Sequence, residues 1–206
     1  MATEGATTVA ALYVERGGVY FGLPGVDPWD EERDARLYAG PWPVVAHPPC
    51  AKWSSLAFIN QSRLPGYVIG DDGGCFEAAL HAVRMFGGVL EHPAKSLAWK
   101  RFGLTKPLAF GYGWLFDGDA WTCRVSQAAY GHRAFKETWL YFIGPEPPEL
   151  DWSRPEVSAR VSSFTHGKPR LESERVRPAE ASRTPLAFRD VLLGLARSAS
   201  RQEVAA

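Results

Sequence analysis

The apolar run Pro43-Val44-Val45-Ala46 stops at His47-Pro48-Pro49-Cys50, and this junction constrains the fold more than any other segment. Val44-Val45-Ala46 is short and apolar throughout, which predicts a buried strand. Two prolines end it, because neither can donate a ladder hydrogen bond. Cys50 then follows on a stiffened loop just past the strand's carboxyl end, where open α/β sheets put their chemistry. Proline fixes φ, so the thiol is held at low entropic cost, which suits a nucleophile. A buried structural cysteine before an ordinary turn fits the same residues.

The arrangement recurs downstream. Val89-Leu90 reads as a second short buried strand and runs into Glu91-His92-Pro93. Further strands are predicted at Thr8-Val9-Ala10-Ala11-Leu12-Tyr13-Val14, at Val19-Tyr20-Phe21 and over 138–144. Residues 121–127 alternate only weakly. The clearest helix covers 74–86, where Phe76, Ala79, Leu80, Val83 and Phe86 recur at three and four and Gly87-Gly88 ends the stripe. Residues 31–38 have helical composition, with Asp30 as N-cap. Residues 95–118 read as an irregular aromatic loop. Pro185 opens a last amphipathic helix over 186–197. Strands alternating with helices predict an α/β sheet. If its strands are parallel, the loops bearing Cys50 and Glu91 lie on one edge.

With 206 residues, 46% of them hydrophobic, the chain can build one sizeable core. No stretch has the apolar length of a membrane span, and Met1-Ala2-Thr3-Glu4-Gly5 lacks a signal-peptide pattern, so no membrane partner and a cytoplasmic location are expected. Cys50, Cys75 and Cys123 are too few for a disulfide framework. Net charge is zero, but Arg154, Arg160, Lys168, Arg170, Arg175, Arg177, Arg183, Arg189, Arg197 and Arg201 crowd the last quarter. Such a run is either a solvated face or a phosphate-binding tail. Eight tryptophans imply a Trp-rich core, with some left as stacking platforms. A zinc site at His47, Cys50 and His92 matches no compact ligand spacing, and no metal is expected. Cytidine deaminase chemistry needs Pro-Cys-x-x-Cys, whereas Ala51-Lys52-Trp53 follows Cys50.

Three ordered segments carry a resemblance. They are Pro48-Pro49-Cys50, Gly88-Val89-Leu90-Glu91-His92-Pro93, and Tyr130-Gly131-His132-Arg133-Ala134-Phe135-Lys136-Glu137-Thr138-Trp139-Leu140. Together they resemble the cytosine-5 DNA methyltransferases, most nearly small, divergent phage-encoded members, over roughly Val44 to Gly144. The resemblance implies a reduced Rossmann-like methyltransferase sheet with helices on both faces. It implies a catalytic domain over 1–150, a polar basic connection over 151–183, and a C-terminal helix over 184–198 that packs back. Cys50 would be the nucleophile that adds to C6 of the base, and Glu91 would anchor the ring. Lys136 would stand for a family arginine that orients the site. Pro48, Pro49, His92, Pro93, Gly131 and Thr138 would contact substrate. S-adenosylmethionine would be the donor, with Asp27 and Asp30 as ribose-side carboxylates. DNA would be the partner, single-stranded or with its base flipped out, in the cytoplasm (of the host, if the chain is phage-encoded).

The chain also departs from that pattern. The family's Phe-x-Gly-x-Gly donor loop has no counterpart after residues 9–14, Phe21-Gly22-Leu23-Pro24-Gly25 being the nearest candidate. Asp27 and Asp30 fit a turn and an N-cap equally well. Ala134 and Thr138 stand where the family has glutamine and arginine, and His92 where it has asparagine. About forty residues between Gly144 and Thr184 leave no room for a large target-recognition domain, so sequence readout would need a homodimer or a protein partner. Two other functions remain open: a non-catalytic nucleic-acid or nucleotide-binding module, and a cysteine enzyme acting on free pyrimidine nucleotides.

Overall fold

The computed structural model describes residues 7–55, 57–160 and 174–199. In chain order the strands and helices are β1 (Val9–Leu12), β2 (Val26–Trp29), β3 (Val44–Ala46), α1 (Ala57–Arg63), α2 (Cys75–Phe86), β4 (Gly88–Pro93), α3 (Leu97–Arg101), β5 (Trp114–Asp117), β6 (Ala120–Ser126), β7 (Glu137–Ile143), β8 (Ala159–Arg160), β9 (Glu174–Arg175), α4 (Pro178–Ser182) and α5 (Leu186–Ser198). The fold is α/β. Its main sheet has seven strands in the order β2-β1-β3-β4-β7-β6-β5. The first four are parallel, and β7, β6 and β5 complete the sheet as an antiparallel set.

Strand chemistry follows position. β1 and β3 are buried along their whole length because both edges are paired and both faces covered, so their sequences read as unbroken apolar runs. β2 is the edge strand and tolerates Pro28, whose missing N–H interrupts no inner ladder. The two-residue turn Gly118-Asp119 joins β5 to β6, with φ +72° at Gly118. Gly88 cannot carry a side chain: a Cβ there would lie 2.0 Å from the Val44 carbonyl oxygen, and φ is +112°. That close approach lets β4 lie against β3.

Period-two alternation divides the sheet into two apolar faces. Ala10, Leu12, Val44, Ala46, Leu90, Trp139 and Tyr141 face one core, which Phe76, Ala79, Leu80 and Val83 of α2 complete. Val9, Ala11, Val45, Val89, Leu140 and Phe142 face the other, covered by Phe188, Leu192, Leu195 and Ala196 of α5. Helices therefore cover both faces. Asp72 starts α2 by accepting from the N–H groups of Gly74 and Phe76, and it also holds the Trp53 indole at 2.7 Å.

Several local expectations give way to tertiary context. Val19-Tyr20-Phe21 lies in turns, with no neighbouring strand to pair it. Residues 31–38 form turns and one 3-10 turn, Ala35–Leu37, rather than a full helix. Asp30 still acts as a cap, its Oδ1 accepting from the N–H groups of Glu32 and Arg33. The segment 95–118 holds α3 and β5, and the weakly alternating 121–127 gives the long strand β6. Lys168, Arg170 and Arg201 of the basic run lie outside the described residues, as does the start of the chain, Met1 to Ala6. Within the described part, Arg154 stacks 4.3 Å from the Phe135 ring centroid and Arg189 donates to the Val19 carbonyl at 2.9 Å. Among the described residues no helix is long and apolar enough to cross a membrane.

Candidate active site

Ala46 and Leu90 are partners across parallel β3 and β4, so the chain leaves both strands at one edge. His47 follows directly, its N–H still bonded to the Leu12 carbonyl of β1 at 3.1 Å. Pro48 is buried, whereas Pro49 and Cys50 are exposed. The loop is anchored just beyond: Trp53 N–H donates to the Cys50 carbonyl at 3.0 Å, and the Trp53 ring is buried. Cys50 thus rides on a fixed loop above the sheet edge.

Glu91 is the centre of the site. Its side chain points to the α5 face, as does that of Val89 two residues earlier in β4. His47 Nδ1 lies 2.9 Å from Oε2, Gln127 Nε2 donates to Oε1 at 3.2 Å, and the Thr138 hydroxyl donates to Oε1 at 3.1 Å. Gln127 also donates to Thr138 Oγ1 at 2.9 Å, and Tyr20 Oη lies 2.8 Å from His47 Nε2. Burial alone would raise the Glu91 carboxyl pKa. The hydrogen bond and charge of His47, then Lys136 and His92, outweigh burial and hold it down at about 2. Glu91 is therefore a carboxylate. Of its roughly four lone-pair directions three are filled, which leaves one on Oε2.

Cys50 lies within electrostatic reach of both other predicted catalytic residues. Crowding by protein raises its thiol pKa, the Glu91 charge raises it further, and Lys136 opposes both. The resting sulfur is thus a thiol at neutral pH. The half-buried Lys136 also donates to the Arg183 carbonyl at 3.2 Å and the Ser182 carbonyl at 3.4 Å, tying the end of α4 to the site. Gly131, with φ +94°, caps the 3-10 turn Gln127–Tyr130. That turn delivers Gln127 to Glu91. Pro93 pairs with Thr138 across β4 and β7.

His92 points to the opposite face. It is 1% exposed, 5.2 Å from Phe76 and stacked 6.3 Å from Trp99, and neither ring nitrogen completes a hydrogen bond, although the Pro48 and Pro49 carbonyls lie near enough to act on it electrostatically. Burial pushes its pKa down to about 4, against the opposing effects of Glu91 and the carbonyls of Pro49 and Pro48. His92 thus shapes the floor beneath the Pro-Pro-Cys loop. Unfolded histidine takes up a proton below about pH 6.5, whereas the folded form stays neutral down to about 4. Stability is therefore full above pH 6.5 and falls by about 3 kcal/mol as pH drops from 6.5 to 4. His92→Phe, similar in volume, is expected to flatten that slope. Urea unfolding at pH 7, 5.5 and 4 measures it, and equal slopes in both proteins would assign the proton to another group.

Asp30 directly follows the carboxyl end of β2, at the same sheet edge, whereas Asp27 lies inside β2, paired with Ala10. Asp27 is engaged by Arg33 at 2.6 Å and by the Trp29 indole at 2.8 Å, and Asp30 is the cap described above. Three site residues come from the fold rather than from the motifs. Gln127 and Tyr20 carry no sequence signal, one ending a weak strand and the other lying in a glycine-flanked turn. His47 is visible beside Cys50, but the distances place it on Glu91 and Tyr20. No protein-family model matches this chain, and no curated protein or solved structure matches it.

Proposed function

We propose that the chain is a pyrimidine-C5-modifying enzyme of the cytosine-5 DNA methyltransferase kind, with Cys50 as nucleophile. One observation carries the reading: the adjacent parallel strands β3 and β4 bring the Cys50 loop, just past the end of β3, and the Glu91 carboxylate, next to the β3-paired Leu90 of β4, to one edge, within electrostatic reach of Lys136. The parallel half, β2-β1-β3-β4, reverses its winding between β1 and β3, which supports a reduced Rossmann-like sheet with its crevice at that edge.

Each residue has a defined task. Exposed Cys50 gives its proton to solvent water, and the resulting thiolate forms a bond to C6 of the ring while the C5=C6 electron pair moves onto C5, making it nucleophilic. Lys136 favours the thiolate. The unfilled lone pair of Glu91 Oε2 accepts from the exocyclic amine of cytosine; the carbonyl of a thymine or uracil at that position would be repelled. His47, Gln127 and Thr138 fix the carboxylate, so no reorganisation is needed when the base enters. Tyr20, whose hydroxyl pKa burial raises far above its ordinary value, stays protonated against His47.

S-adenosylmethionine is proposed as the methyl donor by the resemblance, and it would supply an electrophilic methyl group. The β1 edge does not reproduce the family's cradle. Tyr13, at φ +60°, and buried Val14 follow the strand where glycines would admit the donor, and Asp27 is already engaged. DNA as substrate, and a second copy or another protein for sequence readout, belong to the same proposal.

The test is mass spectrometry of the protein with a short oligonucleotide containing 5-fluorocytosine, with and without S-adenosylmethionine. Fluorine at C5 blocks elimination and traps the adduct. A donor-dependent adduct on Cys50 is expected. With 5-fluoro-dCMP as a second substrate, an adduct on the mononucleotide alone would move the activity to free nucleotides. No adduct on either overturns the covalent reading.

A further inference from the structure

A second cleft lies on the α5 face of the sheet, at its β5 edge. It has a volume of about 390 Å³ and is walled by Tyr112, Trp114, Trp121 and Trp152, with Glu146 and Glu149 among its lining residues. No lysine or arginine lines it. Trp114 stands three strands from Glu91, through the partners Cys123 and Leu140, so this cleft is separate from the Cys50 site.

Its walls are fixed. The Trp114 indole N–H donates to the Pro148 carbonyl at 3.1 Å, and the Trp152 indole N–H donates to Glu149 Oε1. With their polar edges tied down, these two rings stand at 83° with centroids 6.3 Å apart, and both line the cleft. Tyr112 is 72% exposed, an unusual position for a large aromatic residue. Gly111 and Gly113 bracket it at φ +87° and +77°, a backbone that other residues rarely adopt.

Aromatic faces meeting at a right angle, with carboxylates beside them, attract an organic cation. The ring quadrupoles and the carboxylates act in the same direction, and methyl groups on nitrogen fill the apolar walls without needing hydrogen bonds. The same carboxylates repel phosphates, which disfavours a nucleic-acid strand stacking its bases here. We infer that the cleft formed by Tyr112, Trp114, Trp121, Trp152, Glu146 and Glu149 binds a methylated ammonium group.

Titration calorimetry on the full chain tests this with four probes: choline, its neutral isostere 3,3-dimethylbutan-1-ol, a short trimethyllysine peptide and a short single-stranded oligonucleotide. Saturable binding of choline or the peptide is expected, with the isostere weaker than choline by about tenfold, the size of a cation–π contribution. A peptide at least as tight as choline identifies a modified side chain as the source; a weaker peptide identifies a free cation. Tyr112→Ala and Glu146→Gln, both at exposed positions, are expected to weaken choline binding several-fold with the melting temperature unchanged. The inference is overturned if neither cation binds, if the isostere binds as well as choline, if both variants bind like wild type, or if only the oligonucleotide binds here. None of these outcomes bears on adduct formation at Cys50.

Discussion

Cys50→Ala is expected to abolish the covalent adduct completely while leaving the fold in place. The two effects separate because of where the residue sits. Cys50 is exposed, on a loop held by Trp53 and the two prolines rather than by its own sulfur. Truncating an exposed side chain changes stability by roughly 0.5 kcal/mol or less, about 1–2 °C in melting temperature for a domain of this size. The chemistry has no substitute. Cys75 is on α2 and Cys123 is buried within β6, under Leu140 and the α5 face. An adduct that persists in Cys50→Ala would overturn the assignment of the nucleophile. A variant that fails to fold would overturn the statement that the loop is held independently of the thiol. Peptide mapping and a melting curve on the same sample read both.

Glu91→Ala is expected to be the most destabilising single change in the site, by about 3 kcal/mol or more and about 10 °C in melting temperature. The substitution strands three donors at once: His47 Nδ1–H, the Gln127 amide and the Thr138 hydroxyl, the last two buried. Gln127 Oε1 already lacks a partner, so this corner of the core has no slack. Glu91→Gln separates architecture from chemistry. It keeps the volume and one acceptor, and His47 can switch tautomer to meet the new amide N–H₂. That variant is expected to fold and yet lose the adduct, since an amide cannot supply the negative charge facing the base. Wild-type adduct yield in Glu91→Gln would remove Glu91 from base anchoring. Acid acts in the same direction. The carboxyl pKa falls from about 4.5 to about 2 on folding, so its contribution is present above pH 4.5 and is lost as pH falls towards 2. This window lies below that of His92, and the two losses occur in sequence on acidification.

Much of the framework was legible in local patterns. The runs at Val9–Leu12 and Val44–Ala46 are apolar because parallel inner strands are covered on both faces, and the stripe of Phe76, Leu80 and Val83 is apolar because α2 covers one of them. Prolines placed Cys50 just past the end of a strand, and the run Val89-Leu90 placed Glu91 beside it, although β4 continues through Glu91 to Pro93 by pairing with β7. Composition and periodicity reach that far because both are set by neighbours within about one turn or one pleat.

Tertiary structure decided the rest. The strand over 138–144 was legible as β7, but its antiparallel pairing and the β5–β6 hairpin were not, because an edge hairpin such as Trp114–Asp117 with Ala120–Ser126 alternates too weakly to separate from a loop. Pairing β7 against β4 is what brings Thr138 beside Glu91, 47 positions away. The same holds for Tyr20 with His47, for His47 with Glu91 and for Gln127 with Glu91, which are 27, 44 and 36 positions apart. The sequence determined which residue types stand at the sheet edge. Only the folded chain decided that a buried carboxylate would be ionised, which donors would hold it so, and that His92 would turn away into the aromatic core. Charge states and hydrogen bonds of this kind depend on burial and on distances across strands, which no local pattern of residues records.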